Sequence, residues 1–106
     1  MPTISSQPDL QTVITTFEVT PGTCHDLLDM LTDAYGAFIS RQPGFIGAGL
    51  HVNDAQTRIA NYSQWRRRED FLAMLRSEEM RVRTREINKL CRSFEPVMYD
   101  VAKVFP

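Results

Sequence analysis

Between Gln11 and Val19 the chain alternates: Val13, Thr15, Phe17 and Val19 fall on one side, Ile14, Thr16 and Glu18 on the other. That period of two, carried by β-branched residues, predicts a half-buried strand. Pro21 and Gly22 break it, and from Thr23 to about Gln42 the spacing becomes helical, with Cys24, Leu27, Leu28, Leu31, Tyr35, Phe38 and Ile39 along one stripe. Asp26 suits the positive end of that helix, Gly36 weakens its interior modestly, and Pro43-Gly44 ends it. Gly44 to Val52 and Thr57 to Trp65 read as two strands of a hairpin, joined through Asn53-Asp54-Ala55-Gln56. Arg68 to Leu75 and Glu78 to Arg92 predict two helical pieces with a break near Ser77. Behind Pro96, the alternation of Val97, Tyr99 and Val101 against Met98, Asp100 and Ala102 predicts a last strand reaching Phe105. The order β-α-β-β-α-β is an α+β, ferredoxin-like unit, with helices on one face of a four-stranded antiparallel sheet.

Alternation also sorts the hairpin by face. With Val52 near Thr57 and Ala48 opposite Asn61, one set holds Ile46, Ala48, Leu50, Ile59, Asn61, Ser63 and Trp65. The other holds Phe45, Gly47, Gly49, His51, Arg58, Ala60, Tyr62 and Gln64. The first is the more apolar and is expected to face the helices. Asn61 and Trp65 then line one elongated cavity without touching, and a carboxamide in that apolar setting needs partners. The bland alternative is an Asn61 bonded to backbone and a Trp65 that is simply core. The second set, with Phe45 and Tyr62 on a face no helix covers, suggests sheet-to-sheet contact with a second copy. His51 falls there as an interface or rim residue, and His25, in the first turn of a helix, is expected to face solvent.

Composition narrows the classes. A chain of 106 residues, 42% hydrophobic and 24% charged, holds one globular domain, expected over residues 11–106 behind a polar segment 1–10. No apolar run is long enough to span a bilayer, and the opening residues lack the basic and apolar regions of a secretory signal, so the expectation is a cytoplasmic protein. Cys24 and Cys91 form no paired motif and are expected as buried thiols in helices. The net charge of −1 hides an asymmetry: residues 58–92 carry nine arginines and Lys89 against five acids. That region could meet an anionic partner, or be a solvated helix face laced with ion pairs. A pI near 6.1 and no interleaved aromatic series argue against a nucleic-acid binder.

Two stretches carry a likeness: Arg41-Gln42-Pro43-Gly44-Phe45 entering a strand, and Asn61-Tyr62-Ser63-Gln64-Trp65 closing the next. From roughly Val13 to Phe105 the chain resembles the antibiotic biosynthesis monooxygenase family, and within it the small cofactor-independent oxygenases of aromatic polyketide pathways that convert anthrones to quinones. The resemblance implies a homodimeric α+β barrel of two ferredoxin-like units, each with a pocket between sheet and helices. It implies no cofactor, and as partners a small aromatic substrate and molecular oxygen. It also implies catalytic roles for Asn61 and Trp65, acting with an arginine of the later helix. Ungapped counting from the tryptophan gives Arg85, whereas the stripe of Met80, Ile87, Leu90 and Cys91 places Arg83 inside and Arg85 nearly opposite. Both are carried, with Arg83 favoured on geometry. Where some of these oxygenases have a tyrosine, this chain has Phe71, so a phenol hydroxyl is lost.

The residues themselves agree with a reaction that the substrate drives. There is no His/carboxylate set at metal-ligand spacing and no glycine-rich nucleotide turn. An electron-rich phenol whose anion can itself reduce oxygen then needs a dry aromatic pocket, a hydrogen-bond donor for developing oxyanion charge, and a fixed positive charge. Three competing readings differ in what they require. Haem degradation needs an axial histidine on the helix after the third strand, and residues 66–92 contain none. A small-quinol oxygenase needs the same chemistry on a smaller ligand, and a non-catalytic aromatic-binding module needs only the pocket.

Overall fold

A computed structural model describes residues 10–105; the expected polar segment, Leu10 apart, and Pro106 lie outside the described residues. Four strands, β1 (Gln11–Glu18), β2 (Phe45–Val52), β3 (Arg58–Trp65) and β4 (Ser93–Tyr99), are joined through helices α1 (Pro21–Ala37), α2 (Arg68–Arg76) and α3 (Glu78–Asn88). The strands form one antiparallel sheet in the order β2-β3-β1-β4, the ferredoxin-like arrangement expected from the sequence. The helices lie over one face. The core between the layers draws Val13, Phe17, Ile59 and Trp65 from the sheet, Leu27 and Leu31 from α1, and Phe71, Met80 and Ile87 from α2 and α3. Full burial of such side chains stabilises the fold by about 1.5–3 kcal/mol each.

The boundaries depart from the sequence reading in three places, each with a local cause. First, α1 begins at Pro21 rather than after the Pro-Gly pair, because proline is tolerated at the first helical position, where its missing N–H has no helical partner to lose. The helix also stops at Ala37, short of Gln42. Phe38 leaves helical geometry, and Ile39–Arg41 form a single 3₁₀ turn. Second, α3 ends at Asn88, so Cys91 sits outside the helix and is half-buried, while Cys24 is buried as expected; both thiols are free. Third, β4 runs from Ser93 to Tyr99 through Pro96 instead of starting behind it. As an edge strand bonded only to β1, it has a free side on which the missing N–H of Pro96 costs nothing. The break between α2 and α3, by contrast, is where it was expected. Ser77 makes it by donating its hydroxyl to the Met74 carbonyl (2.7 Å) and accepting from the Met80 N–H (3.2 Å).

The hairpin register is shifted by two residues. Leu50, not Ala48, pairs with Asn61; Ala48 pairs with Ser63, and Val52 with Ile59. Asn53 lengthens the turn, its Oδ1 accepting from the N–H of Thr57 (2.9 Å) and of Arg58 (2.8 Å), while Gln56 takes a left-handed φ of 56°. An even shift preserves facing, so Asn61, Ser63 and Trp65 still point to the helices. A β-bulge between Phe45 and Gly47 undoes the face assignment of two others. Ile46 becomes the extra residue and turns out to 44% exposure, and Phe45 turns in against Trp65.

Candidate active site

Three aromatic rings gather at the end of the β2–β3 ribbon. Trp65 is wholly buried, with Phe45 and Phe71 edge-on to it at centroid distances of 5.3 and 5.8 Å. The Phe45 ring in turn lies 6.0 Å from that of Tyr35 on α1. The Trp65 indole N–H is already engaged, donating to the Ser63 hydroxyl at 3.2 Å. Two residues further back along β3, half-buried Asn61 accepts a hydrogen bond at Oδ1 from the Tyr35 hydroxyl, at 2.9 Å.

Tyr35 and Ser63 therefore connect the two residues singled out from the sequence. Burial pushes the Tyr35 phenol above its ordinary 10.0, and hydrogen bonding with Asn61 and Ser63 offsets this only in part. At neutral pH it is an un-ionised donor. By donating to Oδ1 it occupies the oxygen end of the carboxamide, which leaves Asn61 Nδ2 as the end with hydrogens to offer. Asn61 is thus held as a donor. A sequence reading that places Tyr35 on an apolar stripe misses this. The signal available is that a tyrosine on such a stripe carries a hydroxyl needing a partner.

Between the sheet and the helices lies a cavity of about 50 Å³, walled by Asn61, Ser63, Tyr35, Phe71 and Thr84 together with aliphatic groups such as Leu31. It has room for a water or two. Trp65 stands behind this wall rather than in it. Phe71 is in it, so the hydroxyl that a tyrosine there would add is missing from the cavity itself.

Neither arginine contributes to the lining. Arg83 is 24% exposed and spans from α3 to α1, its guanidinium 3.1 Å from Asp33 and 3.2 Å from Glu79. The hydrogen bond it donates to the Asp33 carboxylate raises its pKa further, so its charge is permanent. The stripe facing the interior is Met80, Thr84 and Ile87; Arg83 flanks it and Arg85 is exposed. His25 is exposed beside Asp29 (3.5 Å) and His51 is exposed on the far face of the sheet, both away from the cavity. Among the described residues, no helix is long and apolar enough to cross a membrane.

Comparison with known proteins supports this architecture. Tetracenomycin-F1 monooxygenase of Streptomyces glaucescens is 39% identical over 74 residues, which is 70% of this chain and 66%, just under two thirds, of that protein. Two solved structures share the fold. The monooxygenase from the ActVA-Orf6 gene of Streptomyces coelicolor, in complex with nanaomycin D, has a TM-score of 0.79 at 23% identity, covering 94% of this chain and 95% of its own. The cofactor-independent oxygenase SnoaB of Streptomyces nogalater has a TM-score of 0.76 at 20% identity, covering 92% and 98%. Residues 10–83 match the antibiotic biosynthesis monooxygenase family as a whole, a stretch that includes the aromatic cluster, Tyr35 and Asn61. With three of its four strands, its first two helices and its cavity-facing carboxamide in that stretch, this chain belongs to the antibiotic biosynthesis monooxygenase family.

Proposed function

We propose that the protein is a cofactor-independent monooxygenase that oxidises a planar, anthrone-like polycyclic phenol to a quinone with molecular oxygen. The observation that carries this reading is Asn61: a carboxamide facing an apolar cavity, its oxygen pinned by a buried phenol and its Nδ2 left as a donor. In the overall change, a ring methylene and O2 become a carbonyl and water. The substrate loses a proton to give an anion, which passes one electron to O2. The two radicals join in a new C–O bond. Loss of water from the resulting hydroperoxide then breaks the O–O bond and leaves the carbonyl.

The chain's part is to bind the anion, exclude water and meet negative charge as it grows on oxygen. Asn61 Nδ2 is the donor for that charge, and one such donor contributes about 3 kcal/mol to the barrier reduction. Trp65 acts behind it by bracing Ser63 and the aromatic wall. Arg83, neighbour to the cavity-lining Thr84, is the arginine we assign to the rim, its charge shared with Asp33 and Glu79. Arg85 takes no part in this reading.

The uncovered sheet face, where Ile46, Val97 and Tyr99 are 38–47% exposed, supports a homodimer formed sheet to sheet. The small cavity favours a second reading, a quinol smaller than an anthrone. Oxygen uptake with 1,8-dihydroxyanthrone and with a monocyclic quinol decides between them. With labelled oxygen, one atom is expected in the quinone and the other in water. Quenching of Trp65 fluorescence without oxygen uptake would mark a binding module instead.

A further inference from the structure

The cavity that holds Asn61 is too small for any ring system, yet a second hollow of about 390 Å³ lies on the other side of one side chain. This outer groove runs between the C-terminal turn of α1 and β2, bordered by Gly36, Ser40, Phe45, Ala48 and Gly49. Its volume falls in the range of small-molecule sites, roughly 300–1,000 Å³. Tyr35 is the one residue that walls both hollows. We propose that Tyr35 is a movable partition, latched shut by its hydrogen bond to Asn61, and that its displacement joins groove and cavity into one site for a planar phenolic ligand.

Three observations carry this. The latch is a phenol donating to Asn61 Oδ1 at 2.9 Å, so a ligand's phenolic hydroxyl can take the same acceptor once Tyr35 moves. Asn61 Nδ2 then stays aimed as before, because the incoming hydroxyl makes the bond the tyrosine gave up. The neighbouring position is Gly36, where an added Cβ would meet nothing within 4 Å, so open space lies beside the hinge of the side chain. The floor of the groove is likewise made of small residues, Ala48 and Gly49, which leave a flat surface for a ring.

This inference rests on the functional reading above, and its test separates the two. The probe is 1,8-dihydroxyanthraquinone, followed by quenching of the single tryptophan in wild type, Tyr35→Phe and Gly36→Leu, with oxygen uptake on 1,8-dihydroxyanthrone measured in parallel. Tyr35→Phe keeps the wall and removes the latch. Releasing one net hydrogen bond raises the open population, so binding is expected to tighten about 3- to 10-fold. A tyrosine that merely supported the fold would weaken binding when changed. Gly36→Leu fills the groove on a helix position that favours leucine over glycine, so melting is not expected to fall while affinity drops more than about tenfold. Unchanged affinity in Gly36→Leu, or weaker binding in Tyr35→Phe, overturns the partition. Probe binding with these two responses but no oxygen uptake leaves the partition standing and removes the oxygenase. A wild-type chain that binds no probe removes both.

Discussion

Arg83 of α3 and Asp33 of α1 face each other at 3.1 Å across the two helices that roof the cavity. The pair is partly exposed and screened, so Arg83→Gln is expected to lower stability by only about 0.5 kcal/mol. A fall in turnover beyond that scale would support a charge at the rim. Arg85→Gln is expected to change neither melting nor turnover. A large loss of turnover in Arg85→Gln alone would transfer the rim role to that residue.

Asn61→Ala is expected to lower turnover about 100-fold, the scale on which removal of one oxyanion donor acts. It also leaves the Tyr35 hydroxyl without its acceptor, at a cost of about 1–3 kcal/mol in folding stability. Trp65→Phe reverses the balance. The indole is wholly buried and its N–H braces Ser63, so about 1–3 kcal/mol of stability is lost while turnover falls less than in Asn61→Ala. Steady-state rates beside denaturant unfolding of both variants check the ordering.

Gly44 has a φ of +84°, and a Cβ there would run into the Asp70 carboxylate at the start of α2. Gly44→Ala is expected to destabilise the fold by about 2 kcal/mol or more, combining backbone strain with displacement of Asp70. Thermal unfolding checks it: for a domain this size, each kcal/mol moves the midpoint by roughly 4–8 °C.

Tyr35 titrates above its ordinary value because it is buried. Below the unfolded value of 10.0 the phenol is neutral in both states and stability is unaffected. As pH rises past that point the unfolded chain loses its proton first. It then binds fewer protons than the folded chain, and stability falls until the folded phenol ionises too. Tyr62 and Cys91, also raised by burial, act with the same sign. Unfolding free energies measured from pH 8 to 11 are expected to decline above about pH 9–10, and less steeply in Tyr35→Phe.

Much of the fold is legible in alternation and punctuation, because strand and helix periods report burial directly. β1, the face of β3 that carries Asn61 and Trp65, and the stop at Ser77 all follow from local rules. Three features do not. The register of the hairpin depends on the side chain of Asn53 extending a turn. The inward turn of Phe45 depends on an unpaired residue, Ile46, next to it in its own strand, which no period of two encodes. The Tyr35–Asn61 bond joins positions 26 residues apart, and only the packing of α1 on β3 brings them together. The later helix shows a further gap: a wheel places Arg83 inside its apolar stripe, whereas the side chain flanks that stripe, drawn to Asp33 and Glu79.

The surplus residue in β2 has a consequence for how this enzyme family can vary. Because Ile46 is accommodated outside the ladder, Phe45 keeps the face that its pairing with Trp65 gives it. Trimming that one position would straighten the pairing and still leave Phe45 opposite Trp65, on the same side of the sheet. A single-codon deletion there would therefore spare the ring cluster and remove only the kink that carries Ile46 outward.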